Sequence, residues 1–145
     1  MRLTEYSRRL LSLAETVHRW LASLGTLDRD RRDRIARYAD EIAATLNRAA
    51  AALARHAADP AVADGATQLE TAREFGRIAG YVETIVAVLQ HHLDGRKLAG
   101  VKRRLEQLEP PAPRLDAAGA PDRRLLGRLA AAEGYFRALA DGLRT

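Results

Sequence analysis

Apolar residues recur every three or four positions in four stretches of the chain, a spacing that places them on one face of an α-helix. No strand-like alternation of four or more residues occurs, so the chain is predicted to be all-α. Thr4 and Gly25 are the predicted N-cap and C′ residues of the first helix. Its apolar seam consists of Tyr6, Leu10, Leu13, Val17, Trp20 or Leu21, and Leu24.

The second helix is predicted to follow Asp28, a suitable N-cap, and to end before Asp59-Pro60. Its seam consists of Ile35, Tyr38, Ile42, Leu46, Ala49 and Leu53. The third helix is predicted to begin at Thr67, which has capping-box spacing with Glu70, and to end before Asp94-Gly95. Its seam consists of Leu69, Ala72, Phe75, Ala79, Val82, Val86, Leu89 and Leu93.

The apolar seam changes phase after Gly95, which predicts a separate short helix over residues 96–109 with Leu98, Val101, Leu105 and Leu108 inside. Prolines then end helical structure, so residues 110–120 are a predicted Pro/Ala-rich linker. Pro121 suits the first position of a last helix over residues 121–145. The seam of that helix consists of Leu125 or Leu126, Leu129, Ala132, Phe136, Leu139 and Leu143.

These elements predict an antiparallel helical bundle of four long helices and one short helix, in a single domain. Residues 1–109 are its predicted core, and short connections are expected to place the first three long helices side by side. The linker is long enough for the helix over residues 121–145 either to complete this bundle or to dock on a partner.

The composition is typical of a folded protein, with 47% apolar and 30% charged residues among 145. The absence of cysteine excludes disulfides, thiolate metal sites and a cysteine nucleophile. No apolar run approaches the roughly 18 residues of a membrane span. The first residues begin an amphipathic helix rather than a signal peptide. We therefore expect no membrane association and a cytoplasmic location.

Catalytic motifs are not found. The serines at positions 7, 12 and 23 all lie in the first helix, away from sharp turns, and there is no glycine-rich phosphate loop. Seven residues separate Arg48 from His56, more than the Arg-x-His motif of the helical HEPN ribonucleases allows. We therefore expect no enzymatic activity and no cofactor.

A metal-binding or small-ligand-binding bundle is a remote alternative. Antiparallel helices would bring His18 close to His92, with Asp94 or Asp28 nearby. Glu15 and His18 also have the Glu-x-x-His spacing of di-iron bundles, but the motif occurs once and such a site needs two copies. Histidines in the last turn of a helix more simply interact with its carbonyls, so we expect no metal.

Two surfaces are candidates for binding, and the first is a groove. Gly76 and Gly80 lie one turn apart on the third helix, where each glycine costs about 1 kcal/mol relative to alanine. Close packing against Ala50 and Ala54, in the alanine-rich half of the second helix, would compensate for this cost. A partner helix or a ligand that presses on the same groove is the alternative.

The second surface is basic, in line with the net charge of +5. An antiparallel bundle would bring two arginine-rich segments to the same end. A solvated surface is the simplest interpretation, and an acidic protein or nucleic acid is the alternative partner. The lack of aromatic residues among these arginines disfavours a single-strand binder that stacks bases. The predicted patch consists of Arg96, Lys97, Lys102, Arg103, Arg104, Arg31 and Arg32.

Residues 34–46, with the sequence Arg-Ile-Ala-Arg-Tyr-Ala-Asp-Glu-Ile-Ala-Ala-Thr-Leu, resemble a pattern in small helical adaptor or effector-associated domains of bacterial NTPase-linked conflict (defence) systems. In those domains a tyrosine-centred helix is followed by a short loop and a second long helix, as residues 59–88 would supply here. The resemblance implies docking between helices rather than catalysis, and it assigns no site residues.

We therefore predict a non-catalytic helical protein–protein interaction or adaptor module that self-associates. The groove or the basic end would be its contact surface. The alternative is a basic helical bundle that binds nucleic acid, as a small subunit of a larger complex.

Overall fold

The structure, a computed structural model, describes residues 3–24, 26–58, 65–90, 95–108 and 123–145. Nearly all of the described residues are helical and none is in a strand, which confirms the predicted all-α class with four long helices and one short helix. Within these ranges no helix is both long enough and apolar enough to cross a lipid bilayer. The helices are α1 (Leu3–Arg19), α2 (Leu21–Leu24), α3 (Arg29–Ala58), α4 (Gly65–Leu89), α5 (Gly95–Glu106) and α6 (Arg123–Arg144).

The first predicted helix is divided into α1 and the single turn α2. The break lies at Trp20, whose N–H donates to the carbonyl of Val17 at 3.1 Å, an i to i−3 bond that tightens the end of α1. The predicted cap of the next helix is confirmed, because the N–H of Arg31 donates to Oδ1 of Asp28 at 2.8 Å. The predicted linker, residues 110–120, lies outside the described residues.

The seam predicted for α4 is partly wrong. The helix begins at Gly65, two residues before the predicted start. Phe75, Val82, Val86 and Leu89 are buried as expected. Ile78 and Ile85, which lie outside the predicted seam, are buried as well, whereas Leu69 is 60% exposed. The reason is geometric: Leu69 lies nine residues before Ile78, about 180° around the helix axis.

The last helix, α6, lies between α1 and α3 of its own chain, and its packing on α3 is the most extensive among the described helices. Close contact between α1 and α3 is minor by comparison. The prediction that these two helices lie side by side is therefore wrong. The cause is that the inner face of α6 is apolar along its whole length, with Leu125, Leu129, Ala132, Phe136, Leu139, Ala140 and Leu143 buried.

Contacts between the helices establish their directions. On α3, Asn47 lies near Glu133 of α6 and Asp40 pairs with Arg144, so α3 and α6 are antiparallel. His18 at the end of α1 contacts Tyr135, and Leu21 of α2 lies further along α6, beside Gly142. The chain from the end of α1 into α2 therefore runs in the same direction as α6. A Cβ on Gly142 would lie 2.6 Å from Cδ2 of Leu21, so the absence of a side chain there permits this approach.

Small side chains bring α3 and α6 together. Ala36, Ala39 and Ala43 of α3 are fully buried, as are Ala132 and Ala140 of α6. Helix axes approach to about 8 Å, the lower end of the usual range, when side chains at the contact are this small. Buried alanines of α3 therefore belong to the core beside α6, the helix that α3 contacts most extensively among the described helices.

Tyr6 places a phenolic hydroxyl in the apolar core. Its side chain is buried and meets the ring of Phe75 edge-on at 4.7 Å between centroids. Its hydroxyl has no hydrogen-bond partner among the described residues. Burial raises the pKa of the Tyr6 phenol above its ordinary value of 10.0, because the phenolate would lose its hydration.

We expect the Tyr6→Phe variant to be more stable than the parent by about 1 kcal/mol at neutral pH, since it removes the desolvated hydroxyl. Because the pKa of Tyr6 is raised in the folded state, the preference of the fold for the neutral phenol contributes fully to the unfolding free energy below pH 10.0. This contribution is lost as the pH rises above 10.0. Urea unfolding at pH 7 and above pH 10 measures both effects. Between these two pH values Tyr6→Phe should lose less unfolding free energy than the parent. An equal loss in both proteins would contradict the raised pKa of Tyr6.

Candidate interaction surface

The four residues of the predicted groove are not brought together. Gly76 and Gly80 are exposed, and a Cβ built on either meets nothing within 4 Å. Ala50 and Ala54 follow Asn47 at helical spacing, on the flank of α3 that faces α6. Close packing between α3 and α4 therefore does not explain these glycines.

The predicted basic patch is divided between two helices that have different neighbours. Arg96, Lys102 and Arg103 are exposed on α5, where Lys97 and Arg104 are half-buried. Helix α5 packs mainly against α4 and α1, whereas α3 packs against α4 and α6. Helix α4 therefore lies between α5 and the arginines at the start of α3.

The two arginines predicted at the start of α3 differ in their surroundings. Arg31 is exposed, and its guanidinium lies 3.5 Å from Oδ2 of Asp28. Arg32 is half-buried, and its Nε atom has no hydrogen-bond partner among the described residues. The Asp28 carboxylate therefore acts on this basic segment as a helix cap and an ion-pair partner.

The structure describes two of the residues that formed the alternative metal site, and both make other contacts. Asp28 caps α3, and the ring of His18 meets Tyr135 edge-on at 5.4 Å between centroids. Within the described parts of the chain, no three His, Cys, Asp or Glu residues are grouped as metal ligands. His92 and Asp94 lie outside the described residues.

Arg48, the first residue of the rejected ribonuclease motif, belongs to an ion-pair network instead. Its guanidinium lies 3.2 Å from Oε2 of Glu74 and donates to the Thr45 hydroxyl at 3.1 Å. Arg77 lies 3.9 Å from the other carboxylate oxygen of Glu74. Because the Glu74 side chain is only 11% exposed, this network joins α3 to α4 across a partly desolvated contact.

An unpredicted cleft lies where the end of α1 meets α6. It has a volume of about 290 Å³ and is lined by His18, Ala131, Gly134, Tyr135 and Ala138. The two rings form one wall, and the alanines and glycine of α6 form a floor without long side chains. We call this cleft the α1–α6 groove.

The floor of the groove belongs to a longer exposed strip of α6. A Cβ on Gly127 or Gly134 would meet nothing within 4 Å, so this side of the helix is open. The residues of this strip recur every three or four positions in the sequence, but this spacing does not show which side of α6 faces solvent. The strip, which we call the outer face of α6, consists of Arg124, Gly127, Ala131, Gly134, Ala138 and Asp141.

A second unpredicted surface lies between α3 and α4. The half-buried rings of Tyr38 and Tyr81 are 5.9 Å apart, and the guanidinium of Arg37 lies 5.3 Å from the centre of the Tyr38 ring. The expectation that no aromatic residue accompanies the arginines is therefore wrong at the start of α3. The cause is that Tyr38 directly follows Arg37, so the two side chains are free to stack at the edge of the bundle.

Comparison with known proteins does not assign a family. No protein-family model matches the chain, and neither a curated protein nor a solved structure was found to be similar to it.

Proposed function

We propose that this protein is a non-catalytic helical interaction module that self-associates through the α1–α6 groove. The observation that carries the proposal is the outer face of α6, where small apolar residues remain exposed beside two aromatic rings. The inner face of the same helix is buried in the core, so α6 is held in place while its other side is open.

The chemistry of the groove suits a helix better than a small polar molecule. Alanine and glycine allow a second helix axis to approach to about 8 Å, at which distance the backbones and short side chains are in contact. Tyr135 and His18 supply a rigid aromatic wall, and tyrosine is enriched among residues that dominate binding energy. A docked helix would remove apolar surface from water without displacing any side chain of the groove.

Sedimentation equilibrium of the 15.9 kDa chain, from low micromolar to several hundred micromolar, tests the proposal. We expect the mass to rise with concentration, and we expect Gly134→Lys to raise the dissociation constant at least about tenfold, or about 1.4 kcal/mol. The long charged side chain would occupy the floor of the groove.

Gly76→Lys is the matched control, because Gly76 is also an exposed helical glycine with nothing near its Cβ, but lies on α4. We expect this variant to associate like the parent. A parent chain that remains monomeric throughout, or equal effects of the two lysines, would overturn the proposal.

Binding of single-stranded nucleic acid is a second candidate function, favoured by the Tyr38–Tyr81 pair and the stacked Arg37. Bases stack on exposed aromatic rings, and such binding weakens steeply with salt. Fluorescence anisotropy of a labelled oligonucleotide at two salt concentrations tests it. Salt-sensitive binding that is lost in Tyr81→Ala would support this function, and no binding at low salt would exclude it.

A further inference from the structure

The outer face of α6 is self-complementary in charge and in size. Its six residues are spaced by three, four, three, four and three positions, the recurrence of the a and d positions in paired helices. An exposed arginine, Arg124, stands at one end and an exposed aspartate, Asp141, at the other. Neither is ion-paired with another described residue, and the four residues between them are glycine or alanine.

These six positions are symmetric about the point between residues 132 and 133. In an antiparallel pair of α6 helices, Arg124 of one copy would therefore face Asp141 of the other. Gly127 would face Ala138, and Ala131 would face Gly134. A parallel pair would instead oppose Arg124 to Arg124 and Asp141 to Asp141, so the charges select the antiparallel arrangement.

We propose that two copies of this chain pair through the outer faces of their α6 helices, antiparallel and around a two-fold axis that passes between residues 132 and 133. This rests on the proposed function and specifies its partner as a second copy. A two-fold contact uses the same surface on both subunits, as the pattern of the outer face requires. The small residues form the centre of the contact, and two Arg124–Asp141 pairs form its ends.

Disulfide crosslinking tests the geometry, because the parent chain contains no cysteine. In the antiparallel pair, position 127 of one copy lies opposite position 138 of the other. Two copies of position 127 are about 16 Å apart along the helix axis, which is beyond disulfide reach. We expect a one-to-one mixture of Gly127→Cys and Ala138→Cys to form a mixed disulfide dimer under mild oxidation.

Each cysteine variant alone is the control, and each should give little crosslinked product. Efficient crosslinking of each variant with itself would indicate a parallel pair and would overturn the inference. The absence of any crosslink in a chain that still associates would overturn it as well. In both cases the proposed function would stand.

Charge-reversal variants test the same pairing independently of crosslinking, through the dissociation constant measured by sedimentation equilibrium. We expect Arg124→Asp or Asp141→Arg to raise the dissociation constant roughly tenfold, because each change opposes like charges at both ends of the contact. The double variant should restore the affinity of the parent. Single variants without effect, or a double variant weaker than both, would overturn the inference. A parent that never associates would overturn the proposed function too.

Discussion

The Phe136→Ala variant is expected to lose about 3–5 kcal/mol of unfolding free energy, the largest effect of any single change considered. Phe136 is 2% exposed on the inner face of α6, between α1 and α3. Truncation would remove apolar contacts from both neighbouring helices and leave a cavity. Because single domains are stable by only about 5–15 kcal/mol, this loss would be a large fraction of the total.

Urea denaturation followed by far-ultraviolet circular dichroism measures this loss. The matched control is the adjacent Arg137→Ala, which removes an exposed ion pair with Glu133 and should cost no more than about 0.5 kcal/mol. A loss below about 1 kcal/mol for Phe136→Ala would contradict the placement of α6 in the core.

The Ala132→Leu variant is expected to lose about 1–3 kcal/mol, because three additional carbon atoms must enter a contact that is already filled. Ala132 is fully buried on the inner face of α6, the helix that packs most extensively against α3. The helices would have to separate or the leucine would have to adopt a strained rotamer.

Ala130→Leu is the control for Ala132→Leu, since Ala130 is exposed two residues earlier on the same helix. Leucine and alanine have similar helix propensities, so we expect this variant to change the unfolding free energy by less than about 0.5 kcal/mol. Equal losses at the two positions would show that the core is not closely packed at Ala132.

Much of this fold follows from the spacing of apolar residues. The inner face of α6 was predicted because Leu129, Phe136 and Leu139 are large and recur with helical period, and all three are buried. The break between α4 and α5 was predicted for the same reason, from a change of phase. Large apolar side chains identify a buried face wherever they are concentrated on one side of a helix.

The errors arise where side chains are small or where apolar residues lie on more than one face. Helix α4 has Leu69 on the face opposite Ile78, so its sequence allows two seams, and only the neighbouring helices select one. The arrangement of α6 between α1 and α3 was missed because spacing along a helix says nothing about which helices become neighbours.

The groove could not be located for a related reason. Ala132 and Ala140 face inward on α6, while Ala131 and Ala138 face outward, and all four have the same chemistry. Alanine and glycine recur with helical spacing on more than one side of α6, so their spacing does not distinguish the inner face from the outer face. Only the tertiary arrangement shows which of them remain exposed.

The central claim is that the inner face of α6 fixes this helix in its own chain and so keeps the outer face ready to bind. Native-state hydrogen exchange of Gly134→Lys, at concentrations where it is monomeric, tests that claim most directly. We predict that the amides of Leu129 and Phe136 in α6 exchange with the same free energy as that of Leu46 in α3, through global unfolding. Fast exchange of α6 while α3 stays protected would show that α6 detaches from the bundle and would contradict the account.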